Sequence, residues 1–460
     1  MILQEAIEYA TQECELLRFE KGIPGIAFGL MYQGKLVYSS GLGETQIGNQ
    51  VTPTEDSIFR IASMSKSFTA QAILLLRDRG ALKLEDTITT YLPWTANIGL
   101  PEGSSPITIR DLLTMGAGFP TDDPWGDRQE YLPLPDFDAL VAAGLTFNRK
   151  VNTGFEYSNL GYALLGRIIS VVSGELYETF MKLEIQDPQG MTISTYFSDN
   201  VPEDLRAHGY AKFEAGPVPE PTTANGAFTP MGGLHSSVKE LSAWVAMFQS
   251  GKPEAQNPYR FVQSVLAKEQ GEIPERIVTS NYGYGLYIDD DATLGRFVSH
   301  SGGYPGFGSH MRWHAESGWG IIGLANLTYM PMSLVCAKIL NQIVYSHKKA
   351  NKPVINLGVV TQEAVGVVND LINNWDNKVC DTWFTENMDL DQPRSERQLA
   401  LAKLTQGHTD WCVVEDSLTA PTLSFAKWKM QSAESVIEVE MLMSPEKQPR
   451  IQKLTFKSPN

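Results

Sequence analysis

The sequence predicts an α+β fold. A large domain over residues 1–350, an antiparallel sheet flanked by helices plus a helical subdomain, precedes a small C-terminal α+β domain over residues 351–460. Three observations predict it. Strand-like segments stand at both ends of the first 350 residues with helical periodicity between them, which in one domain puts the terminal strands in a shared sheet. A chain of 460 residues exceeds what a single hydrophobic core usually holds. At "HKKANKP" the chain turns polar, cationic and Pro-terminated, as a linker does, and a second helix-then-strand pattern follows.

The elements follow in order. "MILQEAIEYATQECELLRFEKG" places Ile2, Leu3, Ala6, Ile7 and Ala10 among acids at helical spacing and predicts an amphipathic helix. "IAFGLMYQGKLVYSSG" holds two apolar, β-prone segments around Gln33-Gly34, a connection short enough for a hairpin. "SFTAQAILLLRDRGAL" predicts a helix ending near Gly80, with Ser63 at or near its buried N-terminus, where unpaired backbone N–H groups favour developing negative charge. Short helices broken by Pro and Gly fill Leu82 to Gly118. A Pro- and Asp-rich loop, "PTDDPWGDRQEYLPLPD", has a length that tends to be functional. "LGYALLGRIISVVSG" is helical again. From Tyr282 onward "YGYGLYID", "GRFVSHSGG" and "GSHMRWHAESGWGIIGLANL" alternate like consecutive strands, and the helix "MSLVCAKILNQIVY" closes the domain near Ser346.

In the tail, Thr361 to Trp375 and "RSERQLALAKLTQG" read as helices, and "TLSFAKWKMQ", "SVIEVEMLMS" and "RIQKLTFKS" as antiparallel strands. That order resembles the nuclear-transport-factor-2-like group. A lipocalin-like barrel needs about eight strands, more than the tail offers.

Composition bounds the function. With 42% hydrophobic and 20% charged residues the chain is an ordinary globular one. A formal net charge of -16 argues against nucleic acid or an anionic membrane surface as partner, since both need a basic patch. No apolar run reaches the roughly eighteen residues of a membrane span. No basic flank with an apolar core opens the chain, so a cytoplasmic-type protein is expected, a trimmed leader aside. Cys14, Cys336, Cys380 and Cys412 are far apart with no C-x-x-C pair; reduced core thiols are expected, with no metal or organic cofactor.

Chemistry enters at "IASMSKSFTA". Positions i and i+3 share a helix face, so Lys66 lies beside the Ser63 hydroxyl as a possible base beside a nucleophile. The spacing alone is weak, because S-x-x-K also begins at Ser236, Ser346, Ser424 and Ser444. Three further elements give it context: the single Tyr-x-Asn, "YSN" at Tyr157 to Asn159; the single His-x-Gly, in "HSGG" from His300; and the glycine-rich "PMGGLHSSVKELSAW". Serine needs a base to become a nucleophile, and lysine and tyrosine, with ordinary pKa values near about 10, need their environment to become bases. Which of Lys66 and Tyr157 takes the proton is open at this level.

With these motifs in this order, residues 22–345 resemble the serine β-lactamase and penicillin-recognising hydrolase superfamily, most closely its class C β-lactamase-like branch. The resemblance implies a β-lactamase-like domain and a serine hydrolase acting through an acyl-enzyme on a small-molecule or peptide substrate. It implies Ser63, Lys66 and Tyr157 as catalytic residues. It also implies that Asn159 turns its amide toward substrate and helps hold Lys66. Gly302 and Gly303 would let substrate approach the backbone, with the Gly303 and Ser63 N–H groups forming an oxyanion hole.

His300 stands where β-lactamases generally carry lysine, and His-x-Gly resembles D-aminopeptidases, related peptidases and some esterases. Peptides or amides are therefore expected ahead of esters, a weak β-lactamase or a penicillin-binding sensor. Two matches are expected to be decoys: "SDN" at Ser198 to Asn200, and the S-x-x-K of "HSSVK", which reads as the start of a helix. Asp122, Asp123 or Asp127 would meet a substrate amine if their loop borders the cleft, and a solvated capped turn is the alternative. Self-association through the C-terminal domain is the remaining expectation.

Overall fold

The computed structural model describes residues 3–251, 254–269, 271–351, 357–406, 408–433 and 435–458. Ile2 and the Lys352-Pro353 end of the expected linker lie outside the described residues. The chain divides into two compact units, Met1–Asn351 and Lys352–Asn460.

The first unit is built on an eight-stranded antiparallel sheet. Helix α1 (Leu3–Lys21) leads into β1 (Gly25–Tyr32) and β2 (Lys35–Gly43). Gln33 and Gly34 join these strands with φ of 50° and 74°, the two positive values that a tight two-residue hairpin turn requires. Helices α2 (Ser65–Asp78), α3 (Asn159–Ser173) and α4 (Val238–Gln249) follow, with short helical segments between them.

The chain then returns to the sheet as β3 (Arg260–Ala267), β4 (Arg276–Tyr282), β5 (Tyr287–Asp291), β6 (Gly295–Tyr304), β7 (Phe307–His314) and β8 (Trp319–Ala325), and ends in α5 (Met332–Ala350). The strand order is β2-β1-β8-β7-β6-β5-β4-β3, so the N-terminal hairpin pairs with the last strand, as expected for strands at both ends of one domain. β8, "WGIIGLA", is buried along its whole length, and its unbroken apolar run is what a strand covered on both faces needs.

Each face of the sheet has its own core. On one side Ala6, Ala10 and Cys14 of α1 share a cluster with Cys336, Ile339 and Ile343 of α5. On the other side Phe68 of α2 stacks on Trp244 of α4 with ring centroids 3.8 Å apart, within the cluster that also holds Leu164 and Ile168 of α3. α2 is buried along almost all of its length, which suits a helix that carries site residues on a rigid base.

Several expectations need correcting. α5 runs on to Ala350, so "HKKA" is its last turn rather than linker; lysines there favour the negative helix end. Strands begin at Arg260, not Tyr282, because β3 is exposed on both faces and shows no alternation to read. Within the acidic loop, Asp123–Gly126 is a helical turn and Leu134–Ala142 a helix. Cys14, Cys336 and Cys380 are buried thiols, whereas Cys412 is exposed in a short strand.

In the second unit four helical segments between Val359 and Thr405 precede a five-stranded antiparallel sheet. Its longest strands are β9 (Phe425–Ser432), β10 (Ser435–Met443) and β11 (Ile451–Lys457). Ala426, Trp428 and Met430 alternate inward on β9 and meet Ile437, Val439 and Met441 of β10 and Ala364 and Val368 of the first helix. Among the described residues no helix is long and apolar enough to cross a membrane, and no group of His, Cys, Asp or Glu is arranged to hold a metal ion.

Candidate active site

Ser63 sits in a one-turn helix, Ala62–Met64, immediately before α2. The residue ahead of it, Ala62, has φ of 48°, a left-handed value that an L-residue keeps only when its surroundings insist. Those surroundings are visible. Ser309 Oγ donates to the Ile61 carbonyl at 2.7 Å, Ile61 N–H donates to the Leu234 carbonyl at 2.9 Å, and Ser65 Oγ donates to the Ala62 carbonyl at 2.7 Å.

Gly302 of β6 lies against the same turn. A Cβ there would come within 2.1 Å of the Ile61 carbonyl oxygen and 2.2 Å of Ser309 Oγ. Gly302→Ala is therefore expected to destabilise the fold by about 1–3 kcal/mol, read from urea denaturation, because backbone has to move. Wild-type stability in that variant would contradict this packing.

Lys66, the second residue of α2, is fully buried. Its Nζ lies 2.8 Å from Ser63 Oγ, 2.7 Å from Asn159 Oδ1 and 2.8 Å from the Met231 carbonyl oxygen. Burial pushes its pKa down to about 8, against the opposing pull of Asp123, Asp127 and Asp122. The Tyr157 ring stands 5.1 Å from Nζ, and its hydroxyl lies beside that of Ser63. Burial, with Asp123 and Tyr287 adding to it, pushes the Tyr157 phenol well above its ordinary value.

Asn159 is the first residue of α3, capped by the Ser158 hydroxyl. Its amide does not point to open cleft. Oδ1 accepts from Lys66, and Nδ2 donates to Asp123 Oδ1 at 2.9 Å. Asp122 accepts from the backbone N–H groups of Asn159 at 2.6 Å and Leu160 at 2.9 Å, a carboxylate at the positive end of a helix. Asp127 is buried and accepts from the Tyr329 hydroxyl at 2.9 Å; burial pushes its pKa up to about 7. The acids of this loop thus bind their own protein rather than forming a solvated turn.

His300 is 1% exposed on β6. Nδ1 faces the Ser301 carbonyl at 2.6 Å, so it carries the proton, and Nε2 accepts from the Tyr282 hydroxyl at 3.1 Å. Burial and the Lys66 cation push its pKa down to about 3, so the ring is neutral and both nitrogens are engaged. It supports the wall beside Tyr157 and presents no cation, unlike the lysine that the resemblance would put there. Gly303 follows on the same strand, with Tyr329 3.1 Å from where its Cβ would be.

Two contributors carry no local signal in the sequence, the Met231 carbonyl and Tyr282, and Asp123, read from the sequence as a candidate for a substrate amine, binds Asn159. The glycine-rich segment supplies the first. Arg60 holds it by donating through Nε to the Gly232 carbonyl at 3.1 Å while pairing with buried Glu130. The decoys stay apart from this cluster. "SDN" is a one-turn helix whose Ser198 carbonyl accepts from Arg206, and Ser237 of "HSSVK" caps α4.

The β-lactamase family model matches residues 4–342. Penicillin-binding protein 4* of Bacillus subtilis strain 168 is 30% identical over 307 residues, 64% of this chain and 66% of that protein. Protein flp of Staphylococcus aureus strain COL is 28% identical over 338 residues, 72% of this chain and 65% of that protein. The chain thus spans just under two thirds of the length of these relatives. The octameric penicillin-binding protein homologue from Pyrococcus abyssi superposes with a TM-score of 0.60 at 22% identity, covering 99% of this chain and 100% of that one, a likeness of fold.

Proposed function

The chain belongs to the β-lactamase family, and from that premise we propose that it is a serine hydrolase that cleaves a peptide, amide or small ester through an acyl-enzyme on Ser63. The observation that carries the reading is the set of three oxygens around Lys66 Nζ. Two of them, Asn159 Oδ1 and the Met231 carbonyl, can only accept. A neutral amine spends its two N–H bonds on them, and its lone pair then faces the Ser63 hydroxyl. Lys66 is accordingly the base. Its lowered pKa makes the neutral form accessible near neutral pH, whereas the raised Tyr157 pKa keeps the phenol protonated.

In the forward step Ser63 Oγ bonds to the carbonyl carbon as its proton passes to Lys66 Nζ. The Tyr157 hydroxyl, beside Ser63, then delivers a proton to the departing nitrogen or oxygen and is replenished from the Lys66 ammonium. Water attacks the acyl-enzyme by the reverse route and releases the acid.

Two N–H groups are suited to the oxyanion. Among the described residues, that of Ser63 donates to no backbone carbonyl outside its own turn. β5 pairs with β6 only as far as Ser299, leaving that edge of residues 300–304 without a strand partner among the described residues. Alternate residues present N–H and C=O to the same edge, so Gly303 N–H lies on the edge of the Ser301 carbonyl that His300 engages.

Peptides and amides stand ahead of esters because of the His-x-Gly motif. The site also offers no cation at His300 for a β-lactam or peptide carboxylate. Turnover of D-amino-acid anilides beside p-nitrophenyl esters tests this. Ser63-dependent anilide turnover supports the peptidase or amidase, and ester turnover alone points to a carboxylesterase. The relatives named for penicillin binding favour one second reading, a protein that acylates and hardly turns over; a burst without steady state would mark it.

Tyr157→Phe is expected to lower kcat/KM by about 10²-fold while leaving the alkaline limb near its wild-type position. Loss of that limb would make the phenol, not the lysine, the titrating base.

A further inference from the structure

A carboxamide is nearly symmetrical in shape, and only hydrogen-bond partners decide which end faces which way. In Asn159 the choice matters. With Oδ1 toward Lys66 the amide accepts; flipped, it would press an NH2 group against the Nζ donors and remove one of the two acceptors that aim the lone pair at Ser63.

We propose that Asp123 is the positioning residue of this site: its carboxylate, able only to accept, takes the hydrogen bond from Asn159 Nδ2 and thereby locks the amide oxygen onto Lys66. The local backbone is built for this contact. Asp123 opens the helical turn Asp123–Gly126, and a Cβ on Gly126 would come within 3.0 Å of Asn159 Cβ and 3.3 Å of Nδ2. Glycine lets the turn lie this close over Asn159, where a side chain would require Asn159 to give by a few tenths of an ångström. Asp122, next to it, binds the Asn159 main chain, so adjacent carboxylates hold the backbone and the side chain of the same residue.

The arrangement also bears on the charge of Lys66. The ionisable groups facing it are Asp122, Asp123 and Asp127 from the loop, Tyr157 just before α3, Tyr162 in its first turn, and His300 from β6. Of the carboxylates, Asp123 pulls the lysine pKa up most strongly. Removing it both lowers that pKa and frees the amide to turn. The kinetic consequence rests on the proposed role of Ser63; the orientation itself does not.

The test is a titration of the Lys66 13Cε resonance, assigned by its loss in Lys66→Met, with the plateau rate of Ser63 labelling by a fluorophosphonate. In Asp123→Asn the Lys66 midpoint is expected to fall by roughly one unit and the plateau rate by about 10-fold to 100-fold. Exchanging the two groups, Asp123→Asn with Asn159→Asp, restores an acceptor toward Lys66 and a donor toward it from position 123. The plateau is expected to return to within about tenfold of wild type, with the midpoint now above wild type because a carboxylate touches Nζ.

An unchanged midpoint and rate in Asp123→Asn overturns the proposal, as does a slowed rate that the exchange fails to recover. Asp123→Ser gives the same downward shift should the asparagine variant not fold. If the wild type is not labelled at Ser63, the hydrolase reading falls. Midpoints that move in opposite directions in the two variants then uphold the Asp123 contact, and midpoints that stay together overturn it.

Discussion

Ser63→Ala is expected to lower turnover of p-nitrophenyl acetate by about 10⁴-fold or more, because it removes the hydroxyl that Lys66 Nζ contacts at 2.8 Å and that the proposed mechanism makes the nucleophile. The fold is expected to persist. Alanine deletes one oxygen from a small, buried side chain, while Ile61 and Ala62 keep their hydrogen bonds to Leu234, Ser309 and Ser65. Lys66 keeps Asn159 and Met231. A melting temperature close to wild type with activity lost separates chemistry from stability. A Ser63→Ala protein retaining half of its turnover would move the nucleophile elsewhere.

Lys66 gives the second large effect. Its ammonium has no lone pair, so the rate is expected to rise with pH as the proton leaves, with a midpoint near the pKa of about 8 in the wild type. Below that midpoint the base is occupied; above it the rate levels off. Lys66→Arg is expected to cost about 10³-fold and to abolish the limb, since a guanidinium keeps its proton throughout this range. Its planar fork also fits poorly where three oxygens surround one tetrahedral nitrogen. A kcat/KM profile between about pH 6 and 10 that stays flat in the wild type would contradict Lys66 as the base.

Much of this site was legible because its pieces are local. The i, i+3 spacing of Ser63 and Lys66 survives in the structure as a 2.8 Å contact, and the hairpin at Gln33-Gly34 has the turn its length demands. The Tyr-x-Asn motif announces itself by leading into an apolar helix whose first residue is Asn159. What stayed hidden is non-local or lacks a side-chain signature. The Met231 carbonyl belongs to the main chain, and no residue type marks it. Asp123 meets Asn159 across 36 positions, so its role depends on where a loop folds back.

His300 was legible as a member of the site but not in its role. A sequence shows a histidine at a strand end, whereas its neutrality follows from the Ser301 carbonyl on one nitrogen and the Tyr282 hydroxyl on the other. The partners of the acidic loop were hidden for a similar reason. Composition suggests solvated or substrate-facing acids, and the structure engages Asp122 on the α3 terminus, Asp123 on Asn159 and Asp127 on Tyr329. Strand β3 escaped notice because a strand exposed on both faces has no hydrophobic alternation.

The most direct test of the account is intact-protein mass spectrometry, followed by peptide mapping, of wild type and Ser63→Ala after exposure to a fluorophosphonate and, separately, to penicillin. One fluorophosphonate adduct per chain is expected, on the peptide that carries Ser63, and none on Ser63→Ala. A penicillin adduct on the same residue would extend the site to β-lactams. No adduct on wild type, or an equal adduct on both proteins, would contradict Ser63 as the nucleophile and with it the hydrolase.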